Sequence, residues 1–212
     1  MKNYNYIVIE GNIGAGKTTL AKKIAEKFDA RLILERFIDN PFLPQFYNNP
    51  EKYSFPLELS FLAERYHQLN GELSNRDLFH PLTIADYYLM KSLIFSRANL
   101  SEDEYHLYRQ IFDIISANSI KPDLYVYLHL SLDKLMSNIK GRGRFYEQKI
   151  QKEYLLKIHE GYMDFFKKQT DLTIIMVDVN ELDFINKQSD FEKLTSIIFD
   201  WEYPLGFNKV IP

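Results

Sequence analysis

The chain contains no cysteine, no long apolar run and no block of basic residues. Without cysteine there are neither disulfides nor thiolate metal sites, which suits a reducing cytoplasm. No apolar segment reaches transmembrane length and the N-terminus lacks the apolar core of a signal peptide, so we expect no membrane partner. A net charge of −3 without a basic block argues against nucleic acid as a partner. The 212 residues suffice for one domain with a sizeable core.

Glycine is also scarce, but three of the eight glycines lie close together, in Gly11-Asn12-Ile13-Gly14-Ala15-Gly16-Lys17-Thr18-Thr19. This segment fits G-x-x-x-x-G-K-[ST], follows a short apolar run and precedes a helical pattern, which is the context of a phosphate-binding loop. Glycines let backbone N–H groups surround a phosphate, and the N-terminus of the following helix adds partial positive charge. The segment therefore predicts a nucleoside triphosphate site, with Lys17 on the β- and γ-phosphates and the Thr18 hydroxyl on Mg²⁺.

Strand and helix patterns alternate along the rest of the chain. Several predicted strands are continuously apolar, which is typical of a parallel sheet covered by helices on both faces. The predicted strands are Tyr6–Ile9, Arg31–Glu35, Leu82–Asp86, Asp123–Leu130 and Thr173–Val177. The predicted helices include one opened by Pro56 and running to about Gln68, then Leu132–Ile139, Ile150–Gln169 and Asp190–Phe199, with a charged loop at Lys140–Tyr146. We predict one domain over residues 1–212, an α/β P-loop NTPase-type fold of three layers around a five-stranded parallel sheet.

Two carboxylates at predicted strand ends indicate phosphoryl transfer. Ligands of parallel α/β sheets bind at the carboxyl ends of the strands, where Glu35 and Asp86 fall. Glu35 could accept a proton from an attacking hydroxyl, or could simply pair with Arg36. Asp86 could hold Mg²⁺ through water, or could cap a helix.

Two further charge patterns are candidates for the same site. Arg142 and Arg144 lie in a predicted lid at about residues 140–150 and could stabilise charge on the transferred phosphoryl group, or form a solvated basic turn. Glu58 stands among apolar residues, where a carboxylate is costly without a partner. Arg65 lies two helical turns later, about 10 Å along the same face, so both could flank one small ligand. The alternative for Glu58 is exposure to water or an internal pair.

The ordered set of motifs resembles the deoxynucleoside kinase family over nearly the whole chain. Besides the phosphate-binding loop, residues 47–55 resemble its Y-x-x-P-E-[KR]-[WY]-S-F element, and residues 142–148 resemble its R-G-R-x-x-E-x lid. The likeness is strongest to the bacterial deoxyguanosine kinase branch, on residues 39–43, 55–58, 85–88 and 91–95.

This resemblance implies roles for individual residues. Glu35 would be the general base on the 5′-hydroxyl, and Tyr47 and Glu147 would hold the 3′-hydroxyl. Arg65 would lie near the base and the 5′ end, and the loop from Asp178 to Phe184, with Asp183, would pack against the donor base. Arg142 and Arg144 would clamp the donor phosphates. The resemblance also implies ATP as donor, Mg²⁺ as metal, and a homodimer.

The chain departs from the family pattern at three places. Most members have Gln at the position of Glu58, and an ionised carboxylate only accepts hydrogen bonds. Because guanine offers two adjacent donors at N1 and N2, Glu58 favours deoxyguanosine as acceptor. The family usually has [DE]-R-S where Asp86-Tyr87-Tyr88 stands, and Lys91 is a candidate substitute for the missing arginine. Asn138 replaces a common arginine near the lid.

Several alternatives stay open at the level of sequence. The acceptor could be deoxyadenosine, or the enzyme could accept many deoxynucleosides. A nucleoside monophosphate kinase would need further cations near Arg36, Arg65 or Lys91 for the acceptor phosphate, and the acidic Glu35 and Glu58 argue against one. A regulatory GTP-binding switch would need N-K-x-D, but residues 186–189 read N-K-Q-S. A P-loop ATPase that acts as an interaction protein is a further possibility.

Overall fold

A parallel sheet of six strands forms the centre of the molecule. The computed structural model describes residues 4–36, 40–73 and 79–212, so Asp39 of the motif at residues 39–43 lies outside the described residues. The strands are β1 (Tyr6–Gly11), β2 (Arg31–Ile33), β3 (Thr83–Ala85), β4 (Leu124–His129), β5 (Thr173–Asp178) and β6 (Gly206–Val210). Their order is β2-β3-β1-β4-β5-β6, and every neighbouring pair is parallel.

The prediction of five strands was therefore wrong by one. The missed strand, β6, lies at the sheet edge and pairs with β5. Its sequence, Gly-Phe-Asn-Lys-Val, has no continuous apolar run because only Val210 at its end is buried. An edge strand of this kind carries little of the pattern by which buried strands are recognised.

Helices cover both faces of the sheet. They are α1 (Lys17–Phe28), α2 (Leu43–Asn48), α3 (Pro50–Leu73), α4 (Lys91–Asn99), α5 (Glu102–Ser116), α6 (Leu132–Arg142), α7 (Lys152–Lys168) and α8 (Gln188–Phe199). Apolar side chains of α1, α6 and α8 pack on one face, and those of α3, α4 and α5 pack on the other. Among the described residues, no helix combines the length and apolar character needed to cross a membrane.

Helices α3 and α6 depart from the prediction by more than two residues, whereas α7 and α8 agree with it to within two. Helix α3 begins at Pro50 rather than Pro56, which lies inside it and lacks the N–H that would bond four residues back. The buried side chains of Leu57, Leu62 and Leu69 hold this helix on the sheet despite the missing bond. Helix α6 extends through Arg142 and ends at Gly143, whose positive φ of 72° suits a helix terminus. The loop predicted at Lys140–Tyr146 is therefore correct only for Gly143 and Arg144, because α6 runs to Arg142 and residues 145–149 form a 3₁₀ turn.

Candidate active site

The phosphate-binding loop connects β1 to α1 as the motif predicts. Gly14 has a positive φ of 85°, and a Cβ there would lie 2.9 Å from the carbonyl oxygen of Leu135. The Nζ of Lys17 donates to the carbonyl of Asn12 at 2.9 Å, inside the same loop. Burial and the nearby Lys91 lower the pKa of Lys17 to about 8. The carboxylates of Glu10, Glu35 and Asp86 oppose this shift.

Side chains from other elements fix the shape of this loop. The side chain of Asn12 donates to the carbonyl of Leu155 on α7 at 2.7 Å and accepts the N–H of Ile13 at 2.8 Å. Asn138 on α6 donates to the carbonyl of Gly14 at 2.8 Å. Asn138 therefore contacts the loop itself, beside the position that we predict for the phosphates.

Glu35 lies just beyond β2 and carries two ion pairs. Arg65 of α3 donates to Oε1 through Nε at 2.9 Å and Nη2 at 2.6 Å, and Lys91 of α4 binds Oε2 at 2.5 Å. Burial alone would raise the pKa of Glu35, but Lys91 and Arg65 outweigh it and lower that pKa to about 2. The suggested pairing with Arg36 was wrong, since the guanidinium of Arg36 lies 4.0 Å from Glu64 instead.

Asp86 follows β3 and connects the phosphate-binding loop to Glu35. Its Oδ2 accepts a hydrogen bond from the Thr18 hydroxyl, and its Oδ1 accepts the backbone N–H of Glu35 at 2.8 Å. The helix-cap alternative was wrong, because α4 begins only at Lys91. Tyr87, at the position of the missing arginine, is fully buried and donates to Gln68. Lys91, by contrast, reaches Glu35 in the cavity.

Glu58 is a buried carboxylate without an ion pair among the described residues. The residue is only 2% exposed; its Oε1 accepts from the Asn99 amide at 2.6 Å, and its Oε2 has no hydrogen-bond partner there. Burial raises the pKa of Glu58 to about 7, although Arg65 and the Asn99 hydrogen bond oppose this shift. The alternative of an internal partner is therefore correct for Oε1, through a neutral hydrogen bond, whereas Oε2 has no hydrogen-bond partner among the described residues.

The lid arginines both bind one carboxylate. Arg142 and Arg144 donate to the two oxygens of Glu147, the latter at 3.1 Å, and Glu147 is only 5% exposed. Both arginines are thus ion-paired rather than only solvated, although each side chain stays about one-third exposed. Tyr47 stacks on Tyr146 with ring centroids 5.8 Å apart, and burial together with Glu147 raises the pKa of Tyr47. The lid thus meets α2 at the wall of the cavity.

One cavity at the carboxyl ends of the strands brings most of the predicted residues together. It is lined by Lys17, Thr18, Glu35, Tyr47, Glu58, Arg65, Asp86, Arg142, Arg144 and Glu147, with Lys91 and Asn99 beside them. Apolar walls come from Leu57, Phe61 and Phe95. An apolar space with a carboxylate at one end and a cationic cluster at the other suits a heterocyclic base attached to a polar sugar.

Asp183 and Phe184 lie on the other side of the phosphate-binding loop, in a second cavity with Gly16 and Asn138. The ring of Phe184 is only 4% exposed and supports the loop, since a Cβ on Gly16 would lie 2.9 Å from it. Asp183 accepts the backbone and side-chain N–H groups of Asn186. The contact of Asp183 and Phe184 with a donor base stays a prediction.

Sequence reasoning missed three polar residues of this region. Asn99 orients Glu58, and the Ser92 hydroxyl accepts Arg65 Nη1 at 2.8 Å. Glu10, fully buried under the loop, accepts the N–H of Tyr88 and a Tyr162 hydroxyl at 2.8 Å. Only Glu10 carried a signal in the sequence, as a carboxylate inside the first apolar strand.

Comparison with known proteins shows to which protein family this chain belongs. The profile of the deoxynucleoside kinase family matches residues 7–200. The chain belongs to the deoxynucleoside kinase family. Its resemblance to that family is thus confirmed, and so is a phosphotransferase activity rather than a regulatory switch. ATP is the phosphate donor in this family.

Individual relatives cover nearly the full length of this kinase. A deoxyguanosine kinase of Bacillus subtilis (strain 168) is 36% identical over 200 residues, which are 92% of this chain and 97% of the relative. A deoxyadenosine/deoxycytidine kinase of the same organism is 25% identical over 207 residues, 92% and 93% of the two chains. The structure of a deoxyadenosine kinase from M. mycoides with bound dATP superposes with a TM-score of 0.79 at 27% identity, covering 91% of this chain and 98% of that one.

Proposed function

We propose that this kinase transfers the γ-phosphoryl group of ATP to the 5′-hydroxyl of deoxyguanosine, in the salvage of DNA precursors. The observation that carries the preference is Glu58, a buried carboxylate whose Oε2 has no partner among the described residues. The relative of 36% identity is a deoxyguanosine kinase, which supports the same acceptor. Deoxyadenosine, or several deoxynucleosides, is the second candidate, because other relatives are deoxyadenosine kinases.

The chemistry of the two purines separates these candidates. The Watson–Crick edge of guanine offers the N1–H and the N2 amino group as adjacent donors, which match the two oxygens of an ionised carboxylate. Adenine offers one amino donor next to the acceptor N1, which an ionised carboxylate repels. A recognition site that leaves a buried polar group unpaired loses more affinity than one that loses an apolar contact. Ionised Glu58 therefore selects guanine.

At the other end of the cavity, Glu35 would accept the hydrogen bond of the 5′-hydroxyl and take its proton. Its low pKa means that it is ionised throughout the neutral range, and nucleoside binding would have to loosen its bond to Lys91 or Arg65. In a loose phosphoryl-transfer transition state the hydroxyl loses its proton late, so orientation matters more than basicity. Both cations are engaged by Glu35, which favours a neutral acceptor over a nucleoside monophosphate.

The donor phosphates would lie between the phosphate-binding loop and the lid. Backbone N–H groups of the loop and Lys17 would bind them, and Arg142 and Arg144 would leave Glu147 to stabilise the transferred charge. Glu147, once released, would bind the 3′-hydroxyl together with Tyr47.

The residues present also fit Mg²⁺. No cluster of three or more His, Asp or Glu side chains suited to a metal occurs in the described residues, but Mg²⁺ takes one or two protein oxygens besides phosphates and water. The Thr18 hydroxyl and the Asp86 carboxylate, already in contact, supply such oxygens. Bound there, Mg²⁺ would neutralise phosphate charge.

Deoxyguanosine, deoxyinosine and deoxyadenosine test the role of Glu58. Deoxyinosine lacks only the 2-amino group, so it removes one of the two proposed hydrogen bonds. At pH 8 we expect kcat/KM to fall in the order deoxyguanosine, deoxyinosine, deoxyadenosine. Glu58→Gln, which can donate as well as accept, should reduce or invert this order. An unchanged preference in the variant would refute the assignment of Glu58.

We also propose a homodimer in the cytoplasm. Helix α5 exposes Leu107 and Ile114, which lie seven residues apart on one side of the helix beside the half-buried Ile111, and Ile114 is 79% exposed. Such exposed apolar side chains on a helix favour association of two copies. The absence of cysteine suits a reducing compartment.

A further inference from the structure

We propose that Glu58 works in two protonation states, ionised for guanine and neutral for adenine, so that the choice between purine acceptors depends on pH. This inference deepens the proposed function and rests on it. It concerns the same cavity. It predicts how the preference between the two purine nucleosides changes with pH, and not only which nucleoside is preferred. The observations that carry it are the burial of Glu58, its one neutral hydrogen-bond partner and its unpartnered Oε2.

The surroundings of Glu58 stabilise its negative charge poorly. Among the described residues it forms no ion pair, and the partner of its carboxylate is the uncharged amide of Asn99 at 2.6 Å. Arg65, on the same helix, directs three of its donors to Glu35 and Ser92. A buried carboxylate with so little compensation exchanges its proton near neutral pH, and its pKa of about 7 agrees.

The charged and titratable groups that face Glu58 come from every neighbouring element. They are Arg65 on α3, Glu35 after β2, Lys91 on α4, Tyr47 on α2, Tyr108 on α5 and Tyr154 on α7. Glu35 stays ionised because its pKa is about 2, Arg65 stays charged because its pKa is raised, and the raised pKa of each tyrosine keeps it neutral. Lys91 is paired with Glu35. Glu58 is therefore the group of this set that changes charge near neutral pH.

The two states of Glu58 present different hydrogen-bond patterns. Ionised Glu58 has two acceptor oxygens for the N1–H and N2 amino group of guanine. In the neutral state, the proton sits on Oε2, since Oε1 already accepts from Asn99. Neutral Glu58 then donates to N1 of adenine through Oε2 and accepts the adenine amino group at Oε1. No covalent step on the base is involved, and the proton comes from solvent before the nucleoside binds.

This assignment gives a quantitative expectation. The parameter kcat/KM reports on ionisations of the free enzyme. If deoxyguanosine reacts only with ionised Glu58 and deoxyadenosine only with neutral Glu58, the ratio of their kcat/KM values follows the ratio of the two states. That ratio changes tenfold per pH unit. Ionisations shared by both substrates, such as that of Lys17 near pH 8, cancel in the ratio.

The experiment measures kcat/KM for deoxyguanosine and deoxyadenosine with saturating ATP and Mg²⁺, between about pH 6 and pH 8.5. We expect the logarithm of the deoxyadenosine-to-deoxyguanosine ratio to fall by close to one per pH unit in the wild-type enzyme. In Glu58→Gln the ratio should be independent of pH. In Asn99→Leu, loss of the donor to Oε1 raises the pKa of Glu58, so the line should keep its slope and move to a higher ratio at every pH.

Two outcomes would overturn this inference: a ratio that does not change with pH in the wild type, or a pH-dependent ratio that persists in Glu58→Gln. Failure of the proposed function looks different. It would appear as deoxyadenosine exceeding deoxyguanosine at pH 8.5, whatever the slope. Deoxyguanosine preferred at every pH with a flat ratio would leave the proposed function intact and refute only the two-state role.

Discussion

Two buried carboxylates share one cavity but differ in charge behaviour. Glu35 binds Arg65 and Lys91, and these cations lower its pKa to about 2 despite its burial. Glu58 has only a neutral amide, and burial raises its pKa to about 7. When their surroundings give two titratable groups of one active site very different pKa values, the two groups often have different roles. In the proposed function, Glu35 supplies a permanent charge for the hydroxyl and Glu58 supplies a charge for the base that changes with pH.

Replacement of Glu58 by Gln should stabilise the protein without ligand more at high pH than at low pH. Because the pKa of Glu58 is raised in the folded protein, its protonation stabilises the fold fully below about pH 4.5, and this stabilisation is lost as the pH rises through about 7. Gln has no such dependence. We expect the free energy of unfolding of Glu58→Gln, relative to wild type, to be about 1–3 kcal/mol higher at pH 8 than at pH 5.

Urea unfolding at the two pH values measures this difference. The matched control is Glu192→Gln, which removes an exposed carboxylate on α8 and should show no comparable pH dependence. Equal effects of Glu58→Gln at pH 5 and pH 8 would contradict the raised pKa of Glu58.

At the level of single residues, the sequence indicated which charged side chains belong to the site, but not which residues bind them. Glu58 could be recognised because it is a carboxylate in an apolar stretch. Its partner Asn99 lies 41 residues away on another helix, and nothing in the local pattern distinguishes that asparagine. The same holds for Lys91 and Glu35, which are 56 residues apart.

At the level of elements, the phosphate-binding loop was predictable because its glycines determine the conformation of its backbone. Strand β6 was not, since its half-exposed edge position removes the apolar run. The start of α3 was also misplaced, because proline is common in the first turn of a helix and Pro56 was assigned there. Pro56 can lie in the interior of the helix because the apolar face of α3 packs against the sheet and offsets the missing backbone hydrogen bond.

Gly14→Ala should destabilise the protein, whereas Gly141→Ala should not. Gly14 has a positive φ, and its Cβ would contact the Leu135 carbonyl, so we expect a loss of at least about 1–2 kcal/mol. Gly141 lies in α6 with nothing within 4 Å of its Cβ position, so alanine there should be neutral or stabilise by up to about 1 kcal/mol. Thermal or urea unfolding of both variants provides the measurement.

A similar loss of stability at both positions would contradict the distinction between them. A stable Gly14→Ala variant would mean that the loop has room to rearrange around a methyl group.

At the level of the whole molecule, the parallel sheet explains why distant residues form one site. The strands that end at residues 11, 33 and 85 are neighbours in the sheet, and side chains of α3 and α4 line the cavity beside these ends. The class of fold and this end of the sheet could be predicted from strand patterns alone. The sequence could not separate a helix face that packs in the core from one that packs against the second copy of the proposed dimer, because both kinds of face are equally apolar.

Ile114→Glu should weaken the proposed homodimer. A charge among these exposed apolar side chains of α5 would have to be buried on association, which is costly without a partner. We expect the molar mass from light scattering or sedimentation to move from that of a dimer towards 25.2 kDa. Ile211→Glu, at a position 72% exposed near the end of the chain, is the matched control and should leave the mass unchanged. A dimer that survives Ile114→Glu would place the interface elsewhere.

The measurement that tests the proposed function most directly is the release of ADP from ATP with Mg²⁺ in the presence of single acceptors. Deoxyguanosine, deoxyadenosine, deoxycytidine, thymidine and their 5′-monophosphates are compared at pH 8. We predict turnover that requires a nucleoside and is fastest, by kcat/KM, with deoxyguanosine. Faster turnover of deoxyadenosine would contradict the pairing of Glu58 with guanine, and turnover restricted to monophosphates would contradict the assignment of Glu35 to the 5′-hydroxyl.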